Sequence, residues 1–353
     1  MRAPLIALLT LALTLPAQSV WAWGSAGHQN VGGIAERMLT KNAYDRVNAI
    51  LGFKDGKGTS LREASVWADC LRDVERTADG RFEYKPDERY RSAICDYFAE
   101  GDGKARMENY IARNWSNCVY APGQACALAF HFVNLPIQAD GYAPGLEGTS
   151  DHDVVHAINA AIAKLEGRPV PAPFDIKDDW EALMLLAHFV GDLHQPLHVG
   201  SVYLDKDGRQ VNPATGSGWL LTRGGNSLTF PSDRQNPNRD GVEMSNLHSD
   251  WDGISFGDKP TRAMVAAALR VPVTGGPLEQ WCSVWAGESL GAARTAFGSV
   301  AFGPAVRPES NSPKWPVRFD DRGQYISDRT VLQRERIVLG SARLAQVLNR
   351  IWP

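Results

Sequence analysis

The spacing of apolar residues between Trp180 and Val190 calls for a helix, and that helix carries metal-ligand chemistry. Trp180, Leu183, Met184, Ala187 and Val190 recur at helical intervals behind two candidate N-caps, Asp178 and Asp179, and Pro196 lies where such a helix should end. Within this stretch the chain reads His188-Phe-Val-Gly-Asp192-Leu-His194-Gln-Pro-Leu-His198. His188 and Asp192 are four residues apart and so share one helix face, and His198 follows just past the proline, where the chain turns back. An imidazole and a carboxylate at this spacing can hold one divalent ion, and a bridging Asp can touch two. His248-Ser-Asp-Trp-Asp252 repeats the spacing on a second expected helix. One such pair alone reads as a solvated helical ion pair. Two of them, with a further His directly after the first, read as metal ligands.

Helix signals dominate elsewhere too. Ser60-Leu61-Arg62-Glu63 is a capping-box pattern opening a helical run from Ala64 to Leu71. Val155, Ile158, Ile162 and Leu165 form a stripe closed by Gly167, and Thr330 to Ile351 reads as a long amphipathic helix. Strand signals are sparse. Tyr203-Leu204 and Gln210-Val211 flank Asp207-Gly208 as a hairpin candidate, and Leu228 to Phe230 can add a short strand. Residues 303–322, rich in Pro and Ser, read as a long loop. No internal repeat and no domain-boundary linker interrupts the chain, so the simplest reading is all-α: one mainly helical domain over residues 23–353 with a short β-hairpin.

Residues 1–22 read as a signal peptide. Arg2 supplies the positive start, Ala3 to Leu15 is too short to span a bilayer, and Val20-Trp21-Ala22 fits a signal-peptidase site. Cleavage after Ala22 leaves Trp23 as the N-terminus of an exported protein, secreted or periplasmic, with no membrane segment. Five cysteines, Cys70, Cys95, Cys118, Cys126 and Cys282, suit an oxidising compartment and match no zinc finger. One or two disulfides are expected, and Cys95, Cys118 and Cys126 are close enough in sequence to include a pair. The balance of 37 Lys and Arg against 40 Asp and Glu leaves a net charge of −3. No long-range positive field is available to attract polyanions, so positive charge for binding nucleic acid has to come from something bound.

Six segments together carry a family likeness: Trp23-Gly24-Ser25-Ala26-Gly27-His28, Trp67-Ala68-Asp69, His131-Phe132, His188 to His198, Gly224-Gly225-Asn226, and Asn246-Leu247-His248-Ser249-Asp250-Trp251-Asp252. In this order the chain resembles the exported zinc-dependent, single-strand-specific nucleases of the mung bean nuclease type, within the wider superfamily of zinc phospholipases C. The resemblance implies a helical phospholipase C/nuclease-like fold and a cluster of three zinc ions. By position, one ion takes Asp69, His131, His188 and Asp192. A second takes the α-amine and carbonyl of Trp23, His28 and the shared Asp192, and the third takes His198, His248 and Asp252. Imidazole and carboxylate suit zinc. The ions bring +6 and the ligands Asp69, Asp192 and Asp252 bring −3, so a protein without a basic surface can still bind phosphodiesters at this point.

The resemblance further implies hydrolysis of single-stranded DNA and RNA to 5′-phosphate products, and removal of 3′-phosphates from nucleotides; a monomer is expected. By the resemblance Asp69 orients the attacking water, Arg72 and Asn226 steady the phosphate, and Phe132, Asn134 and Asn226 contact substrate, with Phe132 stacking on a base; read from the residues alone, Phe132 is equally a core aromatic and Arg72 a surface cation. Two stretches, 73–130 and 199–223, are longer than in the compact fungal members and are expected near the site mouth. His152 and His156 lie outside the implied ligand set and read as helix-surface or packing residues, while His194 reads as a residue that supports the ligands from behind or is structural, rather than a ligand. Two rivals remain at this point, a zinc phospholipase C and a non-catalytic zinc-binding protein. Against the first stands Asp252 four residues after His248, where the phospholipases use Glu; against the second, no ligand is missing.

Overall fold

The helix expected around His188 runs from Asp179 to His194 in the computed structural model, which describes residues 23–54, 57–86, 92–121, 123–233, 242–310 and 312–353. The signal-peptide reading of residues 1–22 lies outside these. The Asp178 carboxylate accepts from the Glu181 amide, satisfying one of the unpaired donors of the first turn, a cap worth about 1 kcal/mol. The helix stops at His194, and Pro196 opens a separate short turn, Pro196–Val199, capped by Gln195. Every residue from Glu181 to His194 is buried. A helix with no solvent face needs neighbours on all sides, and the helices Ser25–Glu36, Val154–Leu165, Leu278–Gly298 and Arg322–Ile351 pack around it.

The C-terminal helix begins two turns earlier than its apolar pattern predicts, at Arg322 behind the Asp321 cap. Its first turns are polar, which hides them from a periodicity search. It also buttresses the helices it covers: Gln333 Nε2 donates to the carbonyls of Trp251 and Gly253, and Arg336 Nε donates to the His194 carbonyl. These are carbonyls that a helix end leaves without intrahelical partners.

Two local expectations need correction. The Ser60 capping box forms, but the helix closes after Ala64 and resumes as Trp67–Cys70 and a 3₁₀ turn, Leu71–Asp73. The Ser65 hydroxyl donates to the Arg62 and His28 carbonyls, competing with the helical ladder. Residues 303–322 are not one loop. Trp315–Phe319 is a strand in a four-stranded sheet ordered Met244–Asn246, Leu228–Pro231, Trp315–Phe319, Val300–Phe302, whose central pair is parallel. Trp315 and Val317 are buried while Pro316 and Arg318 face out, an alternation masked by the proline. The expected hairpin forms, with an antiparallel Leu204–Gln210 bridge and the Val211 amide on the Tyr203 carbonyl, and Tyr203–Leu204 pairs in addition with Leu220–Leu221.

The long stretch after Asp69 holds an antiparallel pair, Val74–Arg76 with Phe82–Tyr84, and helices Ala93–Ala99 and Gly103–Arg113. Disulfides Cys70–Cys95 and Cys118–Cys126 tie it down, and Cys282 is a buried free thiol. Among the described residues no helix is long and apolar enough to cross a membrane.

Candidate metal centre

Six short pieces of backbone converge on one buried point. His28 comes from the Ser25–Glu36 helix, Asp69 from the Trp67–Cys70 turn, and His131 from the 3₁₀ turn Cys126–His131. His188 and Asp192 come from the central helix, His198 from the Pro196–Val199 turn, and His248 with Asp252 from the Leu247–Asp252 helix. Asp192 lies at the middle of this arrangement. Its Oδ2 is 2.9 Å from His131 Nδ1 and 3.1 Å from His188 Nε2, and its Oδ1 is 3.4 Å from His28 Nε2. Asp69 stands 3.8 Å from His188 Nε2 and 3.9 Å from His28 Nε2. Three groups hold ligand atoms close enough for a shared ion: His28–Asp69–His188, His131–His188–Asp192 and His198–His248–Asp252.

Backbone carbonyls fix how these rings present themselves. His188 Nδ1 lies 2.8 Å from the Ser65 carbonyl, His198 Nδ1 2.7 Å from the His131 carbonyl, and His248 Nδ1 2.8 Å from the Gly224 carbonyl. A carbonyl only accepts, so each Nδ1 carries the proton and each Nε2 offers a lone pair. The Nε2 atoms of His198 and His248 then face each other at 3.1 Å with no proton between them. Two acceptors at that distance repel unless a cation lies beside them. Glycine permits the close approaches: a Cβ on Gly191 would lie 2.8 Å from His28 Nδ1, and Gly224 takes φ +55° against the Leu197 carbonyl.

Burial sharpens the demand for positive charge. It holds His28, His131 and His198 well below the ordinary histidine range, and His188 and His248 at about 4. Burial also pushes Asp69 up to about 6, against the pull of Arg72, and Asp192 and Asp252 well above the carboxylate range. Both nitrogens of His28, Asp69 Oδ2, Asp192 Oδ1 and Asp252 Oδ2 are buried without a hydrogen-bond partner. Unpaired buried polar atoms are costly, and neutral imidazoles with orphaned carboxylate oxygens are the donor set a borderline divalent ion satisfies. The residues present fit zinc.

The remaining expected site residues surround this centre unevenly. Trp23 is fully buried; its Nε1 donates to the Gly191 carbonyl at 2.8 Å, and the next amide, Gly24, donates to the Asp252 carbonyl. Arg72 Nη2 pairs with Asp69 Oδ1 at 3.2 Å, leaving Nη1 buried and unpartnered. Asn226 Nδ2 donates to the Arg223 carbonyl, closing the turn that carries Gly224. Half-buried Phe132 follows His131 directly, and Asn134 has its backbone fixed by Gly148 and by the Tyr203 hydroxyl.

Two other groups escape a sequence reading. Tyr120, inside the Cys118–Cys126 loop, sits with its ring 5.9 Å from that of Phe132. Gln195 Nε2 donates to Asp252 Oδ1 at 2.7 Å, orienting the carboxylate. Gln195 lies inside the His188–His198 motif, which is its only signal; Tyr120 gives none. His194 faces away from the cluster, with Nδ1 on the Val190 carbonyl and Nε2 receiving a bond from Arg343. His152 pairs with Asp151, and His156 with Asp153 and Tyr142.

Residues 23–353 match the family model described as S1/P1 nuclease. Among curated proteins, the chain is 28% identical to endonuclease 4 of Arabidopsis thaliana over 49% of its length, 25% identical to endonuclease 1 over 63%, and 21% identical to endonuclease 2 over 98%. The matched segments cover 50%, 68% and 96% of those three proteins, so the chain spans about half the length of the first.

Proposed function

The chain belongs to the S1/P1 nuclease family, and on that premise we propose that it is an exported zinc phosphodiesterase that cleaves single-stranded DNA and RNA to 5′-phosphate products. The same centre removes 3′-phosphates from nucleotides, because it reads the phosphate more than the chain attached to it. The observation that carries this reading is the convergence of buried imidazole lone pairs and orphaned carboxylate oxygens around Asp192. Three ions are proposed: one on Asp69, His131, His188 and Asp192 and one on His198, His248 and Asp252, with a third on His28, 3.4 Å from Asp192 Oδ1, on Asp192 itself and on the amine and carbonyl of Trp23. When bound, zinc supplies Lewis-acid polarisation of phosphate oxygens and a water acidic enough to react near neutral pH.

The chain's own residues do the rest. Asp69, unpartnered at Oδ2, accepts a hydrogen bond from the attacking water and sets its line of approach. Arg72 is held by Asp69 and keeps Nη1 free for a non-bridging phosphate oxygen. Asn226 presents its side chain from the turn next to His248. Phe132 stacks on a base, and Asn134 contacts substrate beside it. Stacking requires a base that has left its duplex neighbours, which favours single strands. Export to a secreted or periplasmic location agrees with the two disulfides, and the enzyme works as a monomer.

The test is hydrolysis of a single-stranded oligonucleotide, the matching duplex, a 3′-nucleotide and phosphatidylcholine, each with and without a chelator. The proposal expects chelator-sensitive cleavage of the single strand and the nucleotide, slow attack on the duplex and none on the lipid. Cleavage of phosphatidylcholine alone supports the phospholipase reading, and no cleavage by zinc-loaded protein supports a binding protein.

A further inference from the structure

The turn Arg223-Gly224-Gly225-Asn226 joins the metal centre to a pair of cations. On one side its Gly224 carbonyl holds His248 Nδ1. On the other, the Lys314 ammonium donates to the Asn226 carbonyl at 3.0 Å. Sheet register fixes this placement: Trp315 pairs with Leu228 in the parallel ladder, and the Trp315 amide donates to the Ser227 carbonyl, so Lys314 falls beside the turn. Arg223 itself is exposed and reaches across to Ser312 Oγ at 3.2 Å, two residues before Lys314. Its backbone takes φ +53°, a left-handed conformation that a non-glycine residue adopts at some cost and that concentrates at functional sites.

Among the described residues neither cation has a carboxylate partner. Lys314 is half-buried, and burial together with the neighbouring Arg223 charge lowers its ammonium to about 8. Two like charges held together, one of them partly desolvated, is an arrangement that an anion relieves. Burial raises the Tyr120 phenol against the charges of Arg223 and Arg72, so Arg223 lies within electrostatic reach of the ring that meets Phe132.

We propose that Arg223 and Lys314 form a second phosphate subsite, which binds a phosphodiester flanking the one under attack and so selects polynucleotides over single nucleotides. This rests on the nuclease reading, because only a polyphosphodiester presents a second phosphate while the first occupies the metal centre. A 3′-mononucleotide carries one phosphate and cannot use both places.

The experiment has two arms, run on the zinc-loaded protein with Lys314→Gln, Arg223→Gln and Lys314→Arg. In the first, kcat/KM is measured on a single-stranded tetranucleotide and on a 3′-mononucleotide. Each Gln variant should lose about tenfold more on the tetranucleotide than on the mononucleotide, the scale of one charge-assisted contact, and Lys314→Arg should recover most of that loss. In the second, binding of a hydrolysis-resistant phosphorothioate strand is followed against salt by fluorescence anisotropy. The slope of log K on log salt should fall by about 0.7 for each charge removed. Equal losses on both substrates would overturn the subsite and leave Lys314 as a support for the Asn226 turn, as would unchanged salt slopes. A parent protein that binds the strand with the expected slopes but hydrolyses nothing contradicts the nuclease reading and keeps the subsite.

Discussion

The imidazole rings of His28 and His188 stack, with centroids 3.8 Å apart and planes 17° from parallel. They arrive from different helices, and burial holds both below the ordinary histidine range, so the stack brings together two neutral rings. The stack points both Nε2 atoms at one carboxylate: His28 lies 3.4 Å from Asp192 Oδ1 and His188 lies 3.1 Å from Asp192 Oδ2. Asp192 thus offers a separate oxygen to each ring, as a bridging ligand requires.

Asp192→Asn should therefore cost more activity than any other single carboxylate change. An amide keeps the shape but loses the negative charge and one acceptor, loosening two ions at once. We expect a fall of at least about 100-fold, the upper end of what changes outside the ligand shell cause, with metal lost in parallel. A purified variant with full zinc and near-normal turnover contradicts the bridging assignment.

Tyr120→Ala and Phe132→Ala should each raise KM on single-stranded DNA more than they lower kcat. A base stacked between or against these rings is bound in the ground state as well as in the transition state. Base–aromatic stacking is worth about 1–3 kcal/mol, so KM should rise roughly 5-fold or more. Tyr120 is the sharper case, because it belongs to the disulfide loop and not to the ligand-bearing turn. Steady-state kinetics that show kcat falling with KM unchanged argue against stacking by either ring.

His156→Gln should alter stability with pH and leave zinc content as it is. The hydrogen bond to Asp153 raises the His156 imidazole, against the opposing effect of burial. A raised histidine favours the folded state fully below the unfolded value near 6.5, and this contribution fades as pH rises through the folded value. The Tm of the parent should accordingly exceed that of the variant by more at pH 6 than at pH 9. Thermal melts showing the same gap at both pH values would remove the pairing from the account, and zinc loss would make His156 a ligand after all.

Much of the proposed centre was legible because its candidate ligands obey local rules. His188 with Asp192 and His248 with Asp252 are each one helical turn apart, and a carboxylate cap and a proline marked the ends of the first helix. What the sequence hid depends on distant contacts. Lys314 reaches the site only because Trp315 pairs with Leu228, 87 positions earlier in the numbering, and the Pro316 in that strand made the segment look like loop. Tyr120 meets Phe132 because a disulfide folds its loop back, and cysteine spacing alone left the pairing open. Ser65 shortened its helix by bonding a carbonyl of another helix, which no capping pattern anticipates.

Metal analysis of the protein beginning at Trp23 tests the central claim most directly. Trp23 is buried against Gly191, next to Asp192, and the proposal makes its amine a ligand. An amide nitrogen has no available lone pair, so a form carrying one extra residue before Trp23 should lose that ion and about 10- to 100-fold in activity. With both N-termini confirmed by mass spectrometry, the account predicts three zinc ions per chain in the form beginning at Trp23 and two in the extended form. Equal zinc and equal cleavage of single-stranded DNA in both forms, or no zinc in the first, would contradict it.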